Sequence, residues 1–218
     1  MKGMKIGVLL AMDAEYKAMA RMDFNFPGKD VVVRVTGVGK VNAAMAATEL
    51  ILKEKPDCII SSGCAGGMLQ GQKVSDFVIA SATAYHDVWC GEPNALGQVQ
   101  GSPMYFKPDP HMLEVAVEVA KAYDHPVQMG LIVTGDQFFI STEEDARILR
   151  LHPEALAADM ESAAIAQVCA AYGVPFISLR IISDIHSSDE IQKETYEGFW
   201  NNLHQIRFRL LKEFINKL

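Results

Sequence analysis

PFISLRIISDIH (Pro175–His186) carries a near-continuous apolar run of Phe176, Ile177, Leu179, Ile181 and Ile182. Such a run is expected of a strand buried on both faces, as in a parallel sheet covered by helices. The run ends at Ser183 and Asp184, with a helix-like segment later. A carboxylate at the carboxyl end of a buried strand stands where open α/β sheets bind their ligands. Asp184 is therefore either a ligand group or the cap of the next turn.

The rest of the chain sets the frame. Its 218 residues suffice for one α/β domain with a full core, and the expected domain is single, spanning residues 1–218. A net charge of −7 argues against nucleic acid or an anionic membrane surface as the main partner. Lys2 and Lys5 precede a short apolar run, but Asp13 and Glu15 interrupt it, and a signal peptide is not expected. No apolar stretch approaches the length of a bilayer span. Cys58, Cys64, Cys90 and Cys169 lack CxxC spacing, and read as reduced thiols of a cytoplasmic protein with no metal site.

In chain order, KIGVLLAM (Lys5–Met12) is a first buried strand, with Asp13 as the expected N-cap of a helix over Ala14–Met22. VVVRVT (Val31–Thr36) is a second strand. Gly37-Val38-Gly39-Lys40 then leads into an alanine-rich helix, Val41–Lys53. GVGK lacks the spacing of either phosphate-loop fingerprint, and a tight turn before a closely packed helix is the expected role. DCIISS (Asp57–Ser62) is a third strand, ending in a small-residue loop, Gly63-Cys64-Ala65-Gly66-Gly67. Val74–Ala84 continues as a strand that Tyr85-His86-Asp87 ends.

Val88–Lys107 reads as a long loop with exposed Trp89, Met104, Tyr105 and Phe106, either a lid or a dimer contact. Pro110–Tyr123 is a helix, and Gln128–Thr134 a strand ending in GDQFF. Phe138 and Phe139 there are either core or a stacking surface for a flat ring. STEE opens a polar helix over Ser141–Leu151. Ala155–Asp159 is a short strand, and Met160–Tyr172 a buried helix whose exception is Glu161, a cap or a ligand group. Ile191–Leu218 reads as one amphipathic helix.

Alternating strands and helices imply a mainly parallel sheet whose loops share one edge. That edge collects Glu15, the GCAGG loop, the aromatic pair, Glu161, Arg180 and Asp184. Three carboxylates without metal-spaced ligands suit acid/base chemistry on an uncharged, hydroxylated substrate, of which glycoside-type hydrolysis is one case.

KIGVLLAMDAE, GVGKVNAA, SSGCAGG, AYHD, TGDQFF, ADMESAAIAQVC and PFISLRIISD together resemble the bacterial 5′-methylthioadenosine/S-adenosylhomocysteine nucleosidases, within the purine nucleoside phosphorylase superfamily. The pieces run in the family's order along nearly the whole chain. The resemblance implies a three-layer α/β sandwich with a central, mostly parallel mixed sheet flanked by helices. It implies hydrolysis of the N-glycosidic bond without a cofactor, and a homodimer with the 89–106 loop near the partner's site. By the same resemblance Glu15 activates water and Asp184 protonates the purine at N7. Glu161 grips the ribose hydroxyls, with Met160 and Met12 near the sugar. Arg180 lies near the water, Ser183 and Gly66 fall within matched motifs at the site, Phe138 faces the base, and Phe139 reads the adenine edge through its backbone. Cys64 stands where the family commonly has a serine that helps hold the water, and a thiol is the weaker donor.

The rival readings are a phosphorylase, a hydrolase of a related nucleoside such as a menaquinone-pathway intermediate or AMP, and a catalytically silent nucleoside-binding domain. Asp13 and Glu15 would repel the phosphate that a phosphorylase needs.

Overall fold

The computed structural model describes residues 3–21, 25–123, 125–138, 142–185, 189–201 and 208–218. Its strands are β1 (Met4–Leu10), β2 (Lys29–Val35), β3 (Cys58–Gly67), β4 (Phe77–Tyr85), β5 (Val127–Thr134), β6 (Ala155–Asp159) and β7 (Phe176–Ile185). The helices are α1 (Asp13–Ala20), α2 (Lys40–Glu54), α3 (Pro110–Lys121), α4 (Thr142–Leu151), α5 (Ser162–Tyr172), α6 (Asp189–Asn201) and α7 (Arg209–Lys217).

Alternation along the central strands sorts side chains into two layers. Ile6, Val8, Leu10, Ile60, Ile177 and Leu179 face a core completed by α3 and α7. Leu9 and Ile59 face the opposite way, onto α2 and α5. Those two helices meet through Ala43, Ala47, Ala163, Ala164 and Ala166, whose short side chains permit close approach. The expected sheet flanked by helices is thus present, and mixed: β3 pairs β6 antiparallel and β4 pairs β7 antiparallel, while the other pairings are parallel.

The sheet also curls on itself. Its order is β2-β1-β3-β6-β5-β4-β7, with a further pairing of β3 to β7. A ring of five strands results, filled by small or branched side chains such as Ala65, Val78, Ala80, Ala157 and Ile182. At Gly66 the ring sets the site, because this residue pairs with Asp184 of β7 on one side and Ala158 of β6 on the other.

Several sequence-based boundaries move. GCAGG is not a loop: β3 runs through to Gly67, since β6 and β7 supply hydrogen-bond partners on both of its edges. β7 likewise continues past Ser183 and Asp184 to Ile185. Phe106 is buried, bridging to Thr83 and packing edge-on against Tyr85 at 6.2 Å, while Trp89 and Tyr105 are exposed. The expected C-terminal helix is two helices among the described residues. Phe208, with φ −71° and ψ 44°, leaves helical geometry before α7. Its buried ring joins Phe199, Leu211 and Phe214 in one cluster, so residues of both helices fill the same core.

Candidate active site

α1 begins one residue earlier than Asp13 suggests, with Met12 as N-cap, which makes Glu15 the N3 residue. Glu15 Oε2 accepts the Met12 N–H at 3.0 Å, the side-chain half of a capping box. Its Oε1 accepts the Cys64 N–H of β3 at 2.8 Å. This reach depends on Gly63: a Cβ there would stand 2.6 Å from Glu15 Oε1, and its φ of +140° is unfavourable for other residues. Burial raises the Glu15 carboxyl above its ordinary pKa, against the Cys64 N–H and the Arg180 charge, which lower it. Cys64 therefore meets Glu15 first through its backbone. Its thiol is pushed well above 9 by burial and then by Glu15.

Glu161 is the N-cap residue of α5, yet its side chain does not cap that helix. Asp159 takes the task, accepting the Glu161 and Ser162 N–H groups at 3.3 and 3.2 Å. Glu161 Oε1 is left to accept the Gly39 N–H at the start of α2, at 3.0 Å. Burial, followed by the nearby Asp159 charge, raises its pKa to about 7. The carboxylate of Asp184 is oriented by Ser183, whose hydroxyl donates to Oδ1 at 2.6 Å.

These three carboxyls line one cavity of about 310 Å³. Met12, Cys64, Gly66, Phe138, Met160 and Ser183 line it too. Arg180 does not. Its Nε donates to Asp159 Oδ2 at 2.7 Å, Asp159 being a lining residue, and Nη2 donates to the Ser61 and Ser162 hydroxyls at 2.9 Å. Nη2 stands 4.0 Å from Glu161 Oε2, so the arginine acts on the site as a buried charge. Asp159 supplies a buried counter-ion at the carboxyl end of β6, and the guanidinium is drawn to it. Phe139 lies outside the described residues.

The sequence pattern of the phosphorylase superfamily matches residues 5–216. A 5′-methylthioadenosine/S-adenosylhomocysteine nucleosidase of Actinobacillus succinogenes is 40% identical over 197 residues, covering 83% of this chain and 86% of that protein. The chain belongs to the nucleosidase family of that superfamily. A crystal structure of S-adenosylhomocysteine nucleosidase from Streptococcus pyogenes, in complex with 5-methylthiotubericidin, matches with TM-score 0.90 at 30% identity, covering 100% of this chain and 98% of that one. Futalosine hydrolase of Helicobacter pylori matches with TM-score 0.89 at 27% identity, covering 99% and 98%.

Within this nucleosidase chain the cavity has lining residues that sequence reasoning missed, above all Tyr196 and Trp200 of α6. Tyr196 packs against Phe138 at 5.0 Å and against Trp200 at 5.8 Å, making an aromatic wall. Their four-residue spacing reads as the core face of a helix. Periodicity does not distinguish a core face from a cavity wall.

Two outcomes follow from this geometry. Gly63→Ala forces Glu15 off the Cys64 N–H, and turnover of a nucleoside substrate should fall at least about tenfold; unchanged kcat would contradict the contact. Glu161 holds a proton in the fold up to about pH 7 that the unfolded chain releases near 4.5. That contribution is fully present below 4.5 and is lost as pH rises through 7. Glu161→Gln should remove this loss, on the order of 1–3 kcal/mol, in urea denaturation of the ligand-free protein. The same pH dependence in both proteins would refute it.

Proposed function

We propose that this chain hydrolyses the N-glycosidic bond of 5′-methylthioadenosine and S-adenosylhomocysteine, releasing adenine and the thioribose product. The observation that carries the reading is one cavity lined by Glu15, Glu161 and Asp184, in a chain whose named relatives are such nucleosidases.

Asp184, aimed by Ser183, donates a proton to N7 of the purine and makes adenine a neutral leaving group. The sugar left behind is oxocarbenium-like, and nearby carboxylates stabilise its positive charge. Glu15 takes the proton of the attacking water. Its Oε1 and Oε2 are each tied to a backbone N–H, so the base is held in place before substrate arrives. Glu161 accepts from the ribose hydroxyls, and Met12 and Met160 pack on the sugar. Phe138, half-exposed and braced by Tyr196, faces the base.

Hydrolysis is preferred to phosphorolysis on electrostatic grounds. Among the described lining residues the ionisable side chains are carboxyls, one thiol and one phenol, a poor setting for a phosphate dianion. The four thiols are free, which fits a reducing compartment, and we place the enzyme in the cytoplasm. Among the described residues, no helix is long and apolar enough to cross a membrane.

The acid and base roles are tested by adenine release from methylthioadenosine without phosphate. Asp184→Asn and Glu15→Gln should each lower kcat by about a hundredfold or more, while Asp184→Asn still binds a substrate analogue. Normal turnover by either variant would overturn its assignment, and a requirement for phosphate would overturn hydrolysis.

The enzyme is proposed to be a homodimer. Val38 lines the cavity, and Val41, Met45 and Leu52 continue from it as an exposed apolar stripe on α2, with Trp89 exposed as well. A second copy seated there would bury the stripe and cover the cavity's mouth. Sedimentation equilibrium should give twice the chain mass; a monomer at micromolar concentration would refute it.

A further inference from the structure

Beyond the Gly39 N–H on Glu161 and Val38 at the cavity, GVGK, AYHD and TGD have no part in the chemistry above, yet the fold brings all three together. Lys40 opens α2, Asp87 follows β4 and Asp136 follows β5. Lys40 Nζ donates to both oxygens of Asp87, at 2.8 and 2.7 Å, and stands 3.8 Å from Asp136. The Lys40 backbone N–H donates to Asp136 Oδ1 at 2.7 Å. The Asp136 backbone N–H donates to Asp87 Oδ2 at 2.9 Å, which closes a ring through three elements. Burial opposes the charge on Asp87, but the Lys40 and Asp136 hydrogen bonds hold its carboxyl below the ordinary value.

The ring has one neighbour of consequence. Gly39, directly before Lys40, donates its N–H to Glu161. Gly39 has φ +96°, and a Cβ there would stand 2.9 Å from Asp136 Oδ1, so the turn and the close approach of the carboxylate both favour glycine. The Gly39–Lys40 peptide, which follows the one carrying the Gly39 N–H, is thus fixed by Asp136. The N-terminal amides of α2, a ready anion site, are taken by the protein's own carboxylates: Glu161 on Gly39 and Asp136 on Lys40.

We propose that Lys40 is a positioning residue for Glu161: by clamping Asp87 and Asp136 it fixes the start of α2, and the Gly39 N–H then holds Glu161 in place as an acceptor for the ribose hydroxyls. Without the ammonium, Asp87 and Asp136 face each other as like charges and separate. Asp136 then releases the Lys40 N–H, and Gly39 loses its aim. The other charges acting on Glu161 are Asp159 from β6, Arg180 from β7 and Glu15 from α1, and they stay in place.

This rests on the hydrolytic reading, and the experiment separates the two. Adenine release from methylthioadenosine is followed across the acidic and neutral range in wild type, Lys40→Met, Lys40→Arg, Glu161→Gln and the Lys40→Met/Glu161→Gln double variant. Lys40→Met should raise KM about tenfold and move the acidic limb of kcat/KM upward by about one pH unit. Lys40→Arg should recover most of both. On the Glu161→Gln background the lysine change should have little further effect, since the group it serves is gone. An unmoved limb in Lys40→Met, or effects that multiply independently in the double variant, would overturn the proposal. Should Lys40→Met fail to fold, Asp136→Ala removes the acceptor of the Lys40 N–H and keeps the Lys40–Asp87 bond. It should shift the limb the same way, and an unmoved limb there is equally decisive. A wild type that releases no adenine defeats the hydrolytic reading; a Lys40→Met variant equal to an active wild type defeats only the clamp.

Discussion

Glu15 reaches the Cys64 N–H only because residue 63 has no side chain. That single contact ties the start of α1 to the central strand. The same strand, three residues on, pairs at Gly66 with both β6 and β7. Carboxyls from distant parts of the chain converge because β3 is narrow where it meets them. A larger side chain at 63 would strike Glu15, and one at 67 would stand 2.9 Å from the Gln72 side chain. Small residues here serve close approach of neighbouring elements, with the backbone still inside the sheet ladder.

Four carboxyls line the cavity, those of Glu15, Asp159, Glu161 and Asp184, and would repel one another if all were ionised. Burial answers this by raising Glu15 and Glu161, and the Arg180 charge moderates the effect. Arg180 is itself almost wholly buried, and its charge is tolerable because Asp159, Ser61 and Ser162 take its donors. Asp159 does double duty: it neutralises the arginine and caps α5, which leaves Glu161 free of its own helix. The carboxyls that face the cavity are thus held by donors fixed in the fold: the Met12 and Cys64 N–H groups on Glu15, the Gly39 N–H on Glu161 and the Ser183 hydroxyl on Asp184.

Much of this was legible from residue order. Buried runs such as KIGVLLAM and PFISLRIIS declare strands covered on both sides, and α2 and α5 announce close packing through their alanines. Glu15, Glu161 and Asp184 stood out because carboxylates are out of place among apolar neighbours at strand and helix ends. Other features were not legible. GCAGG has the composition of a loop and is a strand, because its partners come from residues about a hundred positions away. Tyr196 and Trp200 have the spacing of core residues and line the cavity. Arg180 stands out as a charge in a buried strand, but its partner Asp159 is not legible in the sequence.

The division has a physical cause. Periodicity, capping chemistry and the placing of charge are local, so the chain by itself determined the alternation of strands and helices and the acidic character of one sheet edge. Pairing is not local. The closure of β3 onto both β6 and β7, the choice of Asp159 as partner for Arg180, and the meeting of Lys40, Asp87 and Asp136 each join segments that nothing in the local sequence links. Only the tertiary structure decided those, because a hydrogen bond or ion pair depends on where its two ends stand in space.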